Sequence, residues 1–221
     1  MGVMTHDPAI RAEGIHAAFG RSAVLHGIDL SLRPGTFSLI MGPNGAGKST
    51  LLEILAGAAR PSAGRVIRTG PTALVVQRPA VPTALPLTVA DTVAIGVSGP
   101  RAASRLRGAA RSRAISDALA AVGLTAHAER SLHELSGGQR QRALLAQGLA
   151  SGAAILFLDE AAAGLDAESR SRTREILVDR AARGATVCAV SHDPEDRAVA
   201  DRVIRLDAGR IVADVPRGVC A

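Results

Sequence analysis

The chain has 221 residues, 47% of them hydrophobic, and a formal net charge of +6, enough apolar content for one large domain or for a core with a subdomain. No run approaches the roughly 18 uninterrupted apolar residues of a membrane span. With no Trp, no Tyr and 3 Phe, the base-stacking platforms of a nucleic-acid binder are missing, so the basic balance is not read as nucleic-acid binding.

Residues 10–19 and 24–32 are β-like runs on either side of the turn Gly20-Arg21, which suggests an antiparallel piece. Phe19 closes the first run. Because Phe37 and Phe157 fall in core strands, Phe19 is the aromatic left to stack on an adenine ring; a core or turn phenylalanine is the alternative reading.

An apolar strand over 37–41 then enters Gly42-Pro43-Asn44-Gly45-Ala46-Gly47-Lys48-Ser49-Thr50, and a helix-like run follows over 51–57. The stretch fills G-x-x-x-x-G-K-[ST] in the strand, loop, helix context that a phosphate-binding loop requires. Gly42, Gly45 and Gly47 let the backbone turn successive N–H groups onto polyphosphate oxygens. The helix start adds its positive dipole end. Lys48 would reach the β- and γ-phosphates as a compact charge, and the Ser49 hydroxyl would ligate Mg²⁺. Of 26 basic side chains Lys48 alone is a lysine; in a composition given over to arginine, one ammonium stands where a small point charge is wanted rather than a planar fork.

A turn over 61–64 leads to strands over 65–68 and 73–76, the second ending in Gln77. Open α/β sheets place ligand groups at such carboxyl ends. A proline-rich, non-helical connection spans 79–86, and a short helix over 88–95 takes Thr88 as its cap. Residues 98–113 are rich in Arg, Ala and Gly. Arg101, Arg105, Arg107, Arg111 and Arg113 stand there without an acid among them, either a solvated helical face or a contact with anionic headgroups or a membrane partner. A helix follows over 112–122.

Leu135-Ser136-Gly137-Gly138-Gln139 precedes a helix over 140–150. Ser136 is a natural N-cap and the glycine pair exposes backbone N–H groups, so the stretch is either an ordinary capped helix or a second anion site without a lysine of its own. Residues 153–158 form a continuous apolar run, as strands of parallel sheets do. It ends in Asp159-Glu160. Two carboxylates at a buried strand tip call for a cation or a reacting water, so Asp159 is the expected Mg²⁺ partner and Glu160 the expected base; an acid pair at a helix entry is the alternative. A helix is expected over 167–183, after Asp166. The strand over 185–190 ends in Ser191-His192-Asp193, where His192 could donate to a γ-phosphate or be a plain surface residue. Strands over 202–206 and 210–213 close the chain.

The first twenty residues lack a signal-peptide layout, from which a cytoplasmic protein is expected. Cys188 and Cys220 are too few for a disulfide framework, and Cys188, in an apolar run, is expected to be a buried thiol.

With the phosphate loop, Gln77, residues 135–139, 155–160 and 191–193 in this order, the chain resembles the nucleotide-binding subunit of an ABC transporter from about residue 9 to residue 214. The resemblance implies an α/β fold with a P-loop NTPase (RecA-like) core, an antiparallel β subdomain, and an α-helical subdomain inserted over roughly 78–150. It implies that Phe19 stacks on adenine, Gln77 lies near Mg²⁺, Asp166 belongs to the D-loop, and His192 is the switch histidine. It also explains the missing lysine at Ser136–Gln139: ATP is sandwiched between that stretch and the phosphate loop of a second copy. Implied partners are integral membrane permease subunits and, through them, an extracytoplasmic solute-binding protein, with the chain on the inner face of the membrane. Where the family usually has Pro-Thr after the acid pair, this chain has Ala161-Ala162. The segments 85–89 and 91–96 look like those of bacterial zinc/manganese importers. Other solutes (haem, iron complex, peptide, drug) and a soluble cluster-assembly ATPase are the alternatives.

Overall fold

Alternating buried and exposed positions along β1 (Ile10–Phe19) and β2 (Ser22–Leu32) build an antiparallel hairpin in which Ile10 pairs with Leu32 and Phe19 with Ser22. The structure is a computed structural model that describes residues 7–20, 22–76, 87–98, 106–160, 162 and 164–217. A third strand, β4 (Ala63–Arg68), joins the other edge of β1, so this sheet runs β2-β1-β4.

The larger sheet has the order β5-β6-β7-β3-β8-β9, from β3 (Phe37–Met41), β5 (Thr72–Val75), β6 (Ile155–Asp159), β7 (Thr186–Val190), β8 (Arg202–Asp207) and β9 (Arg210–Pro216). Its pairings are parallel except β8 with β9. The strand period of two sends neighbouring side chains to opposite faces. Ile155 and Phe157 join Ile40, Cys188, the helix α1 (Lys48–Ala56) and the small sheet, whereas Leu156 and Leu158 join Leu39, Val187 and the helix α5 (Ala167–Ala182). Two apolar layers therefore clasp one largely parallel sheet. Cys188 is fully buried in the first, and burial pushes its thiol up to about 12.

Three further helices, α2 (Val89–Ser98), α3 (Gly108–Ala121) and α4 (Gly137–Ala150), pack on one another, and α4 leans on β5. At Gly96 of α2 a Cβ would lie 2.0 Å from the Gln147 carbonyl oxygen of α4, so the two backbones come close there. Thr88 caps α2 as expected: its hydroxyl accepts from the Asp91 N–H and the Asp91 carboxylate accepts from the Thr88 N–H.

Two readings need correction. The helix expected over 112–122 begins at Gly108; its first turns are exposed, so no apolar period marks them, and the high propensity of Ala and Arg carries the helix instead. A short helix, α6 (Pro194–Val199), was not expected; Asp193 caps it through the Glu195 N–H at 2.8 Å and Pro194 starts it. Gln77, the connection 79–86, Arg101 and Arg105, Ala161, Ala163 and Cys220 lie outside the described residues.

Candidate functional site

The sheet order decides which sequence motifs meet. In a parallel sheet every strand delivers its following residue to the same edge, and ligands bind there. The phosphate loop leaves β3, His192 follows β7 and Asp159-Glu160 end β6, and these three strands are consecutive neighbours. His192 thus stands between the loop and the acid pair.

Lys48 opens α1 and is only 6% exposed. Its Nζ donates to the Gly42 and Pro43 carbonyls, both at 2.9 Å, so the ammonium is held inside the loop it closes. Gly47, the N-cap of α1, has φ 96 and no side chain caps the helix, whose first turn holds no acid. Ala46 N–H donates to the Pro43 carbonyl and tightens the turn, with Asn44 and Gly45 at its exposed tip and Thr50 in the first turn of α1. An uncapped helix start and a buried ammonium together can take up a polyphosphate. Gly42 has φ 148, and a Cβ there would lie 1.9 Å from the Leu206 carbonyl oxygen on β8. Gly42→Ala is therefore expected to cost about 3 kcal/mol of stability, because backbone has to move; urea unfolding of variant and wild type checks it.

Asp159 faces this loop. Burial pushes its carboxyl above the usual carboxylate range; a hydrogen bond with Ser49 opposes the shift, Glu160 adds to it and Lys48 opposes it. Its Oδ1 is buried without a hydrogen-bond partner. A carboxylate oxygen left bare beside a serine hydroxyl is a donor set that suits a hard divalent cation.

Glu160 adopts φ 46, a left-handed conformation that is costly for a residue with a side chain. Its N–H donates to the Val190 carbonyl at 3.1 Å, which ties the turn after β6 to the end of β7. His192 Nε2 comes within 3.6 Å of Glu160 Oε1. A cavity of about 200 Å³ opens beside them, lined by Gly164, Arg170, Ser191 and Asp193 as well.

Other expected site residues belong to other elements. Phe19 is 62% exposed at the end of β1. Its hairpin reaches the phosphate loop, since Val24 and Leu25 crowd Gly47. Phe37 and Phe157 are buried, as expected. Asp166 caps α5, accepting from the Ser169 N–H at 2.7 Å and from its hydroxyl at 3.0 Å, and these bonds lower its carboxyl below the ordinary range. Ser136 and Gln139 form a reciprocal capping box at the start of α4, with Ser136 and Gly137 exposed. Gly148, near the other end of α4, packs on Val75 of β5. At 1.5 Å per residue, Ser136 therefore lies about 18 Å along the helix from that contact. That helix start therefore stands away from the sheet.

Sequence reasoning passed over Arg174 and Asp196 and gave Ser191 no role of its own; the three are joined through side chains next to His192. Asp193-Pro194-Glu195 was a readable helix start, but the pairing of Asp196 with an arginine 22 residues earlier had no local signal.

A phosphate loop, an acid pair and a histidine on the carboxyl edge of a parallel sheet define a P-loop nucleotide-binding cassette. The chain matches the family model described as ABC transporter over residues 25–163 and belongs to that family, whose members hydrolyse ATP. It is similar to the aliphatic sulfonates import ATP-binding protein SsuB 1 of Nocardia farcinica, with 39% identity over 215 residues covering 96% of this chain and 83% of the relative. It is also similar to the protein of that name from Rhizobium johnstonii, with 41% identity over 219 residues covering 94% and 77%. Among solved structures it resembles a dimeric post-hydrolysis state of the ATP-binding cassette MJ0796 bound to ADP and Pi, with a TM-score of 0.84 and 25% identity over 95% of this chain and 100% of that one.

Proposed function

We propose that this ATPase is the motor subunit of an importer, in which ATP joins two copies head to tail and hydrolysis parts them. The observation that carries the reading is the 3.6 Å approach of His192 to Glu160 on the edge where Lys48 is held. Lys48 and the N–H groups at the start of α1 would bind the β- and γ-phosphates, and Phe19 would stack on the adenine. Glu160 would take the proton of the attacking water and His192 would donate to the γ-phosphate. Ser136, Gly137, Gly138 and Gln139 of a second copy would close the site, with Asp166 at the junction. The exposed amides of a capped helix without a lysine suit a pocket completed by another chain.

Asp159 and Ser49, with Gln77, are the residues that would hold Mg²⁺. The ion supplies positive charge to phosphate oxygens as negative charge builds on them. A carboxyl that holds its proton more tightly when folded than unfolded adds stability below its unfolded value and loses it as pH rises through the folded one. Asp159, raised by burial, thus works against the metal-free fold at neutral pH. Asp159→Asn is expected to melt higher than wild type without Mg²⁺, by about 2–4 °C per kcal/mol gained. It should also lose the rise in melting temperature that Mg²⁺ gives wild type. Melting curves with and without Mg²⁺ read both.

The helical elements α2 to α4, within the proposed subdomain over 78–150, would face permease subunits on the inner side of the cytoplasmic membrane, coupled through them to an extracytoplasmic solute-binding protein. Ile95 of α2, 46% exposed, supports this. For the solute, residues 85–89 and 91–96 favour zinc or manganese. The names of the two relatives favour aliphatic sulfonates. The test is ATP hydrolysis by the co-purified membrane complex. Stimulation by a zinc- or manganese-loaded binding protein supports the first, stimulation by a sulfonate-loaded one replaces it, and a protein that neither holds ATP nor pairs in its presence removes the motor reading itself.

A further inference from the structure

Beside the site, the buried Arg174 and Asp196 gather a charge cluster whose arginine belongs to no phosphate-binding motif. Arg174, in the middle of α5, is 8% exposed. Its Nε donates to Asp196 Oδ1 at 2.8 Å, a terminal nitrogen lies 2.7 Å from Glu195 Oε2, and the other lies 3.4 Å from Asp193 Oδ2. Asp196 is itself 9% exposed, and its second oxygen accepts from the Ser191 hydroxyl at 2.6 Å. That hydroxyl in turn accepts from the Asp193 N–H at 3.1 Å. Arg170, one turn earlier on α5, adds a 3.6 Å contact to Asp193.

These bonds bracket His192. The residue before it hydrogen-bonds to Asp196, which Arg174 holds, and the residue after it stands 3.4 Å from an Arg174 nitrogen that makes no hydrogen bond among the described residues, an ion-pair contact, so the backbone carrying the imidazole is held to α5 from two sides. Stability gives little reason for such a cluster, because burying an arginine with carboxylates costs desolvation that a well-packed apolar pair would avoid. Fixed geometry is a better reason, since a group that must meet developing charge has to be held within a fraction of an ångström. We infer that Arg174 is a positioning residue for His192: by clamping Ser191 and Asp193 to α5 it holds the imidazole at its 3.6 Å approach to Glu160. Because α5 starts at its Asp166 cap, the clamp also ties His192 to the turn proposed to meet the second copy. The inference rests on the role given to His192 above.

The test is a double-mutant cycle in the purified membrane complex. Arg174→Leu with Asp196→Leu removes both charges together and leaves neither stranded. Ser191→Ala removes only the hydroxyl link and requires no repacking, so it reports even where the leucine pair folds poorly. Each is made with and without His192→Ala, and kcat and KM for ATP are measured. With His192 present, the leucine pair is expected to lower kcat on the order of 10- to 100-fold with KM little changed, and Ser191→Ala to lower it less. In the His192→Ala background neither change lowers kcat further. Equal losses with and without His192, or no loss with it, overturn the positioning role alone. Full activity of His192→Ala by itself overturns the role of the histidine and that of Arg174 with it.

Discussion

Glu160→Gln is expected to stop multiple-turnover ATP hydrolysis while the protein accumulates as an ATP-bound dimer. The substitution keeps the size of the side chain and its place after β6, but an amide cannot take a proton from water. General-base assistance is worth roughly 10²- to 10⁴-fold, and the turnover number should fall by about that factor. Nucleotide binding should persist, because the proposed phosphate contacts come from Lys48 and the start of α1. The backbone supports a specific role for this residue. At φ 46 it holds a conformation that costs about 1–2 kcal/mol, fastened by the bond to the Val190 carbonyl. Single- and multiple-turnover assays with size-exclusion chromatography in MgATP read the outcome. Wild-type turnover by the variant removes Glu160 as the base.

Lys48→Ala has the second largest expected effect, and it falls on binding. The wild-type ammonium sits between the Gly42 and Pro43 carbonyls at 2.9 Å each, within reach of any phosphate cradled by the same loop. Hydrogen bonds to a charged group are worth about 1.5–3 kcal/mol, so ATP should bind about 10- to 100-fold more weakly. Lys48→Arg is not expected to restore it, since a planar guanidinium does not fit the point between two carbonyls that a compact ammonium occupies. Titration of both variants with a fluorescent ATP analogue separates the cases. Unchanged affinity in Lys48→Ala would move the phosphate site elsewhere.

Much of the site was readable along the chain because its parts are local. The phosphate loop, the N-cap at Ser136, the acid pair after an apolar run and the histidine at a strand end each announce themselves within about ten residues. The parallel core was readable too, since strands buried on both faces lose their alternation. The start of α3 was not, because a solvated helix carries no apolar period. The cluster joining Arg174, Asp196 and Ser191 was not, because it links elements that fold together only through the packing of α5 on the sheet.

By itself, the amino-acid order determined the chemistry on offer: an ammonium in a glycine loop, two carboxylates, an imidazole, and a glycine pair at a helix start. These depend on neighbours in sequence, and backbone geometry does the rest. Only the tertiary structure decided which of them meet. The order β6-β7-β3 brings Asp159, Glu160, His192 and Lys48 to one edge. The length of α4 sets Ser136 away from the sheet. Strand order and helix direction are set by long-range burial of apolar faces, and no spacing of motifs along the chain encodes them.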